Sequence, residues 1–354
     1  MRLMDNVILR AIGVAALAAV VAVGSAATAM AQPAPASAPA PAQAASDATP
    51  TIRVISFGGV STVPLLVAEA QGLFTKYGLK VVVEFTPNST LLRQGLAAGK
   101  YDIAHAAVDN AVAMVETDGA DAVILQGSDD GMTELFVQPT IDSVAALKGK
   151  VMAVDAPNTA YALQLRKILL LNGLTGADYT MKAVGGTPQR LQAMTQDKEL
   201  AATMLNPPSS IQARRAGLKS LGSATQLIGP YQGVGAVAMR TWAKDNRDVV
   251  VRYLAAYIEA LRWFMAPSHK ADAIALLTTG LKLQPEVAAE AYAQAMAKGG
   301  LVADARLDVD GLKNVLKLRA EIEKQWQGTP PPADKYFDIS FHTAALAKLA
   351  AGSR

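Results

Sequence analysis

Residues 52–85 read IRVISFGGVSTVPLLVAEAQGLFTKYGLKVVVEF. Ile52–Phe57 is a short apolar run rich in β-branched residues, and Gly58-Gly59 turns the chain out of it. Pro64–Gln71 carries apolar residues at helical spacing and ends at Gly72, the residue type that most often closes a helix. Val81–Phe85 is a second strand. Strand, helix and strand in this order form a β-α-β unit, whose strands lie parallel with the helix covering the sheet.

The alternation continues toward the C-terminus. Leu91–Ala98 is a helix ended by Gly99, Tyr101–Ala104 a strand, Asn110–Thr117 a helix, and Ala122–Gln126 and Leu135–Gln138 are strands. A second set follows: strands at Val151–Val154, Thr180–Val184 and Ala201–Met204, with helices at Tyr161–Leu171, Pro188–Thr195 and Pro207–Ala216. After a strand at Val234–Met239 the chain is mostly helical, with amphipathic stretches at Val249–Met265, Pro285–Ala297 and Leu312–Trp326. Two β-α sets predict an α/β protein of two lobes, each a mainly parallel sheet flanked by helices, with a cleft between them. Proline interrupts regular structure at Gln138-Pro139 and Gly229-Pro230-Tyr231, so the chain is expected to cross between lobes there. Lobe 1 would comprise 51–138 and 231–345, lobe 2 residues 139–230. No internal sequence repeat is visible.

Composition removes several function classes. A net charge of +3 and 5% aromatic residues offer neither the basic stripe nor the stacking platform of a nucleic-acid partner. With no cysteine there is no disulfide, thiolate nucleophile, thiolate metal site or lipid-attachment cysteine. The three histidines, His105, His269 and His342, lie far apart in sequence, so neither a metal site nor a cofactor is expected. Residues 1–31 have the form of an export leader: Arg2 and Arg10, an uncharged Ala/Val-rich run, then the small-x-small site Ala29-Met30-Ala31. A retained anchor is the competing reading, since the run approaches the ~20 residues of a spanning helix. Its weak hydrophobicity and the site that follows point instead to cleavage before Gln32 and an exported, soluble protein. Residues 32–50, nearly all Pro, Ala, Ser and Gln, cannot build a core and read as a disordered tether.

Open α/β sheets bind ligands beyond the carboxyl ends of their strands. In this chain those ends carry polar residues beside proline: Ser61-Thr62 before Val63-Pro64, Asn158-Thr159 after Pro157, Gly186-Thr187 before Pro188, and Asn206 before Pro207. This is how a helix starts, and converging helix starts offer free N–H groups to an anion. Asp102, Asp109, Asp129, Asp130 and Asp155 lie near strand ends too, where turn and cap roles are the ordinary ones. Were Asp109 or Asp155 to face the cleft, a neutral or cationic solute would suit it better. His105 follows a strand among alanines, without a serine or cysteine nucleophile beside it, and reads as a packing residue. Gly58-Gly59 lacks the spacing of a dinucleotide loop.

The quoted stretch, together with LLRQGLAAGKYDIAHAAVDNAV at 91–112 and LKGKVMAVDAPNTAYALQLRKILLLNGL at 147–174, resembles the nitrate/sulfonate/taurine family of periplasmic binding proteins, whose fold is shared by the thiamin pyrimidine synthases. The likeness runs from Ile52 to Trp326. It implies a type II periplasmic-binding fold with the ligand between the lobes. By position it places binding loops at Gly59, Ser61 and Thr62, at Asn88 and Ser89, and at Ala106 and Asn110. In the second lobe it places them at Asn158, Thr159 and Ala160, at Gly186 and Thr187, and at Asn206. It implies a small-molecule solute, a membrane permease and ATPase as partners, and a monomer that is no enzyme. The expected solute is a small organic anion, sulfonate- or carboxylate-like, its charged end held by N–H groups and hydroxyls rather than by a dedicated salt bridge; Arg93 and Arg190 are candidate cations that the sequence does not place in the cleft. A pyrimidine or thiamin-precursor ligand is the alternative. A pyrimidine-synthase-like activity is further off, because the resemblance would call for a cysteine-rich metal loop.

Overall fold

The computed structural model describes residues 49–352; the leader and most of the tether lie outside the described residues. Strand β1 (Thr51–Ser56) leads into α1 (Val63–Ala70) and α2 (Leu73–Lys76), β2 (Lys80–Phe85) into α3 (Ser89–Ala97), and β3 (Ile103–Ala107) into α4 (Asp109–Glu116), before β4 (Ala122–Gly127). Then come β5 (Glu134–Val137), β6 (Val151–Val154), α5 (Ala160–Leu171), β7 (Thr180–Ala183), α6 (Thr187–Gln196), β8 (Leu200–Leu205), α7 (Ser209–Arg215), β9 (Lys219–Ser223) and α8 (Ala224–Ile228). The chain closes with β10 (Val234–Met239), α9 (Arg240–Asp245), α10 (Arg247–Met265), α11 (Lys270–Gly280), α12 (Pro285–Met296), α13 (Val309–Ile322) and α14 (Ser340–Gly352).

The strands form two five-stranded sheets, ordered β2-β1-β3-β10-β4 and β7-β6-β8-β5-β9. In each, the fourth strand runs antiparallel to both neighbours while the others share one direction. The sheets therefore have one topology, although the sequence shows no repeat. Around them lie two lobes. In the first, one face of the sheet packs on α1 and α10, burying Tyr253, Tyr257 and Phe264, and the other packs on α4 and on Leu312, Val315 and Leu316 of α13. In the second, Leu165, Ile168 and Leu169 of α5 cover one face, and Met194 of α6 with Ala213 of α7 cover the other.

One crossing differs from the expected position. Strand β5 pairs with β8 and β9, so the chain changes sheet between Gly127 and Glu134, upstream of Gln138-Pro139. The return falls between Ser223 and Val234, the stretch that holds Gly229-Pro230-Tyr231. The two crossings lie side by side. Gly233 N–H donates to the Asp129 carbonyl at 3.0 Å, and the buried Asp129 carboxylate accepts from Gly131 N at 2.9 Å and Val234 N at 3.2 Å. A side chain at Gly233 would collide with that carboxylate, since a Cβ there would sit 2.0 Å from Asp129 Oδ1. The short β9 was not expected, because KSLGS is polar and half-buried and carries no apolar alternation.

Candidate functional site

The carboxyl ends of β1, β2 and β3 meet those of β6, β7 and β8 around one cavity, with about 580 Å³ of empty space counted out to its mouth. Phe57, Gly58, Gly59, Ser61 and Thr62 follow β1, and Ser89 opens α3 after β2. His105 and Ala107 end β3, and Asn110 sits in the first turn of α4. From the second lobe come Asp155 after β6, Thr159, Ala160 and Tyr161 at the start of α5, Gly186, Thr187 and Arg190 around the start of α6, and Asn206 after β8. Val234 joins them because β10 runs antiparallel and begins at this edge.

Among the sequence candidates, Gly59, Ser61, Thr62, Ser89, Asn110, Thr159, Ala160, Gly186, Thr187 and Asn206 are thus brought together, and Asn88, Ala106 and Asn158 are not. Each exception has a local reason. Asn88 caps α3, its Oδ1 accepting Leu91 N–H at 2.9 Å. Ala106 alternates with His105 and Ala107 along β3 and so points to the opposite face. The Asn158 carbonyl accepts from Arg319 at 3.2 Å. The cap reading is altered in detail. Thr62 and Thr159 occupy N-cap positions, but their hydroxyls donate backward to the Gly59 and Ala156 carbonyls, each at 2.8 Å, instead of accepting a helix N–H. Thr187 is the first residue of α6, whose N-cap is Gly186, and α7 starts three residues beyond Asn206 with Pro208 as its N-cap. The N-termini of α5 and α6 therefore keep N–H groups that no cap side chain takes, whereas at α1 the Val63 N–H is already bonded to the Val60 carbonyl and Pro64 has none.

Contacts across the cavity mouth join the lobes. Val60 N–H donates to the Pro207 carbonyl at 3.3 Å, Gly186 N–H to the Pro87 carbonyl at 2.7 Å, and Ser89 N–H to Asp155 Oδ2 at 3.0 Å. On one flank Arg166 of α5 pairs with Glu323 just past α13, and Lys167 reaches Glu321 at 2.5 Å.

Arg190 dominates the electrostatics of the wall. Its guanidinium is buried and donates to Thr203 Oγ1 at 3.0 Å, the Gly185 carbonyl at 2.5 Å and the Met204 carbonyl at 2.9 Å. It lies 5.6 Å from the Tyr161 ring centre. All three acceptors are neutral, and no carboxylate lies within ion-pair distance of it among the described residues. Burial pushes its pKa down to about 10, partly offset by Asp155, so the group stays cationic at neutral pH. The helical spacing of Thr187, Arg190 and Met194 puts all three on the buried face of α6, a pattern the sequence already carries. Arg93, the other candidate, is buried beside Asp118 at 3.3 Å and does not line the cavity.

His105 donates to or accepts from Tyr253 OH at 2.7 Å through Nε2 and stacks on Tyr257. Burial pushes it down to about 3, so it is neutral. Among the strand-end carboxylates, Asp102 pairs with Arg53 and Asp109 with the buried Arg319, both at 2.5 Å, while Asp130 faces Arg306 at 3.9 Å and Asp129 holds the crossings together. Only Asp155 reaches the cavity wall. Phe57, Gly58, Ala107, Tyr161 and Val234 lie on the wall outside the sequence candidates; Val234 could be found only by knowing that β10 runs backward.

The sequence profile of the NMT1-like family matches residues 48–278. A Brachyspira hyodysenteriae protein named as an ABC transporter periplasmic binding protein is 26% identical over 233 residues, which cover 61% of this chain and 65% of that protein. The chain thus spans about two thirds of the curated relative it matches. Among solved structures, a Bordetella bronchiseptica protein superposes with a TM-score of 0.73 at 19% identity, covering 85% of this chain and 98% of that one. The periplasmic nitrate-binding protein of Synechocystis gives 0.70 at 17% identity, over 86% and 89% of the two chains. The alkanesulfonate-binding protein of Xanthomonas axonopodis pv. citri, bound to MOPS, gives 0.68 at 17% identity, over 83% and 100%. These likenesses show a periplasmic-binding-protein fold, and the profile match over most of the chain shows that it belongs to the NMT1-like family.

Proposed function

We propose that this chain is the solute-binding component of an ABC importer, a soluble periplasmic protein that takes a small organic anion into the cavity between its lobes and hands it unchanged to a permease driven by an ATPase. The observation that carries the anion is Arg190, a buried cation on the cavity wall with neutral partners only. The free N–H groups of α5 and α6 support the same sign of charge. The role in import is supported by the name of the Brachyspira relative and by the nitrate- and alkanesulfonate-binding neighbours. Among the described residues no helix is long and apolar enough to cross a membrane.

Native mass spectrometry of the purified chain, followed by a thermal-shift screen of sulfonates and carboxylates, tests the reading. A bound small acid, recovered chemically unchanged after incubation, is the expected result. A ligand at a hundred times its Kd adds ~2.7 kcal/mol of stability, which such a screen detects readily. Turnover of the solute, or stabilisation by cations alone, would refute it.

A further inference from the structure

Two residues of the cavity wall, Asn110 and Asp155, each carry a buried hydrogen-bond acceptor that no protein group satisfies. Asn110, 3% exposed, donates through its amide NH2 to the Ala107 carbonyl at 3.2 Å. Only the NH2 end of an amide can face a carbonyl, so the orientation is fixed and the free end is Oδ1, buried and without a partner. Asp155 accepts Ser89 N–H through Oδ2 and leaves Oδ1 buried and unpartnered as well. One acceptor belongs to the first lobe and one to the second. A third orphan, His105 Nδ1, is a donor or an acceptor according to its tautomer and decides nothing. Buried acceptors without partners are costly, and in a binding cavity the group that completes them is the ligand.

The charges agree with this. Arg190 is the one cationic side chain on the described wall and Asp155 the one carboxylate, so the lining carries no net charge. A solute built only of acceptors, such as a bare alkanesulfonate or fatty acid, would satisfy Arg190 but meet Asn110 Oδ1 and Asp155 Oδ1 with oxygen against oxygen. We propose that the solute also carries a hydrogen-bond donor, an ammonium, amide N–H or hydroxyl, and that Asn110 Oδ1 and Asp155 Oδ1 accept from it. The inference rests on the solute-binding reading above and narrows its ligand to amino-, amido- or hydroxy-acids.

Calorimetry on the whole chain with matched acids tests it. Propionate is compared with 3-aminopropionate and 3-hydroxypropionate, and ethanesulfonate with its 2-amino and 2-hydroxy derivatives. In at least one series the donor-bearing acid is expected to bind tenfold or more tighter than its donor-free partner. Asn110→Leu should cut that preference to about twofold. Asp155→Asn is isosteric and sharpens the test. One end of the new amide must still accept Ser89 N–H, so its NH2 takes the free position, and the preference should invert toward the donor-free acid. Equal binding of both partners, a preference untouched by both variants, or failure of every donor-bearing acid would overturn the proposal. The two readings fail differently: a co-purified solute without N–H or O–H sinks the donor inference alone, whereas no bound solute and no stabilising acid of any kind sinks solute binding itself.

Discussion

Arg190→Met separates a cation kept for binding from one kept for structure. The depression of its pKa from 12.5 to about 10 corresponds to ~3 kcal/mol of penalty for burying the charge, which methionine removes. Against this stand the Gly185 and Met204 carbonyls, each left without its donor at ~1–3 kcal/mol. Thr203 is less affected, because its hydroxyl still donates to the Ala153 carbonyl at 2.8 Å. The opposing effects are of similar size, so the stability of the solute-free protein should change by less than ~2 kcal/mol. Binding has no such compensation. Losing one or two charge-assisted hydrogen bonds, at ~1.5–3 kcal/mol each, should cost ~3 kcal/mol and raise Kd about a hundredfold. Urea unfolding gives the first quantity and calorimetry with the co-purified acid the second. A Kd within threefold of the parent's would show that Arg190 does not hold the acid, and a stability loss beyond ~4 kcal/mol would make it a structural cation.

Three further outcomes are expected. Because Thr62 and Thr159 spend their hydroxyl protons on their own loops while Thr187 does not, Thr187→Val should weaken acid binding about tenfold, the worth of one hydrogen bond, and Thr62→Val or Thr159→Val by less than threefold, as calorimetry would show. Gly233→Ala drives a methyl into Asp129 and should lose ~1–3 kcal/mol or more in chemical denaturation; a neutral result would mean that the crossings move apart easily. The third concerns acid. Burial pushes His105 from 6.5 down to about 3, so below pH 6.5 the unfolded chain binds a proton that the folded chain refuses, and stability falls as pH drops toward 3. Asp129 opposes this: burial pushes it from 3.8 up to about 6, the folded chain binds that proton first, and stability rises as pH falls from 6 toward 4. His105→Gln removes only the first effect, so between pH 7 and 4 the variant should lose ~3 kcal/mol less than the parent in a melting series, and parallel profiles would contradict the assignment.

Much of the architecture was legible because strand and helix leave different periods in sequence. The quoted stretch at 52–85, the helices at 160–171 and 285–296, and β6 and β10 lie within a residue or two of where apolar spacing and glycine stops put them. What the period cannot say is which sheet a strand joins. Leu135–Gln138 reads as a strand in either lobe, and its antiparallel pairing with β8 and β9 settles the matter through contacts far along the chain. The cavity was legible by the same logic, since strand ends are countable in sequence. The direction in which a side chain spends its proton is not countable, and so Thr62 and Thr159 stand where a cap was expected without capping. Ala106 falls one residue away from the cavity face because alternation along β3 fixes two faces but not which one meets the cavity.

The threading of the sheets also sets the order in which the molecule can be completed. All strands of the second sheet come from one uninterrupted stretch, Glu134–Ser223, whereas the first lacks β10 until the chain has returned. Until Val234–Met239 slots between them, β3 and β4 have no backbone partner on the sides they turn to each other. A chain emerging from its N-terminus therefore finishes its second lobe first and holds its first lobe open with two unpaired strand edges, the late closure carrying the entropy of a long loop. Those edges are the part of the nascent protein most in need of protection from pairing with a neighbour, and insertion of a single six-residue strand ends that exposure.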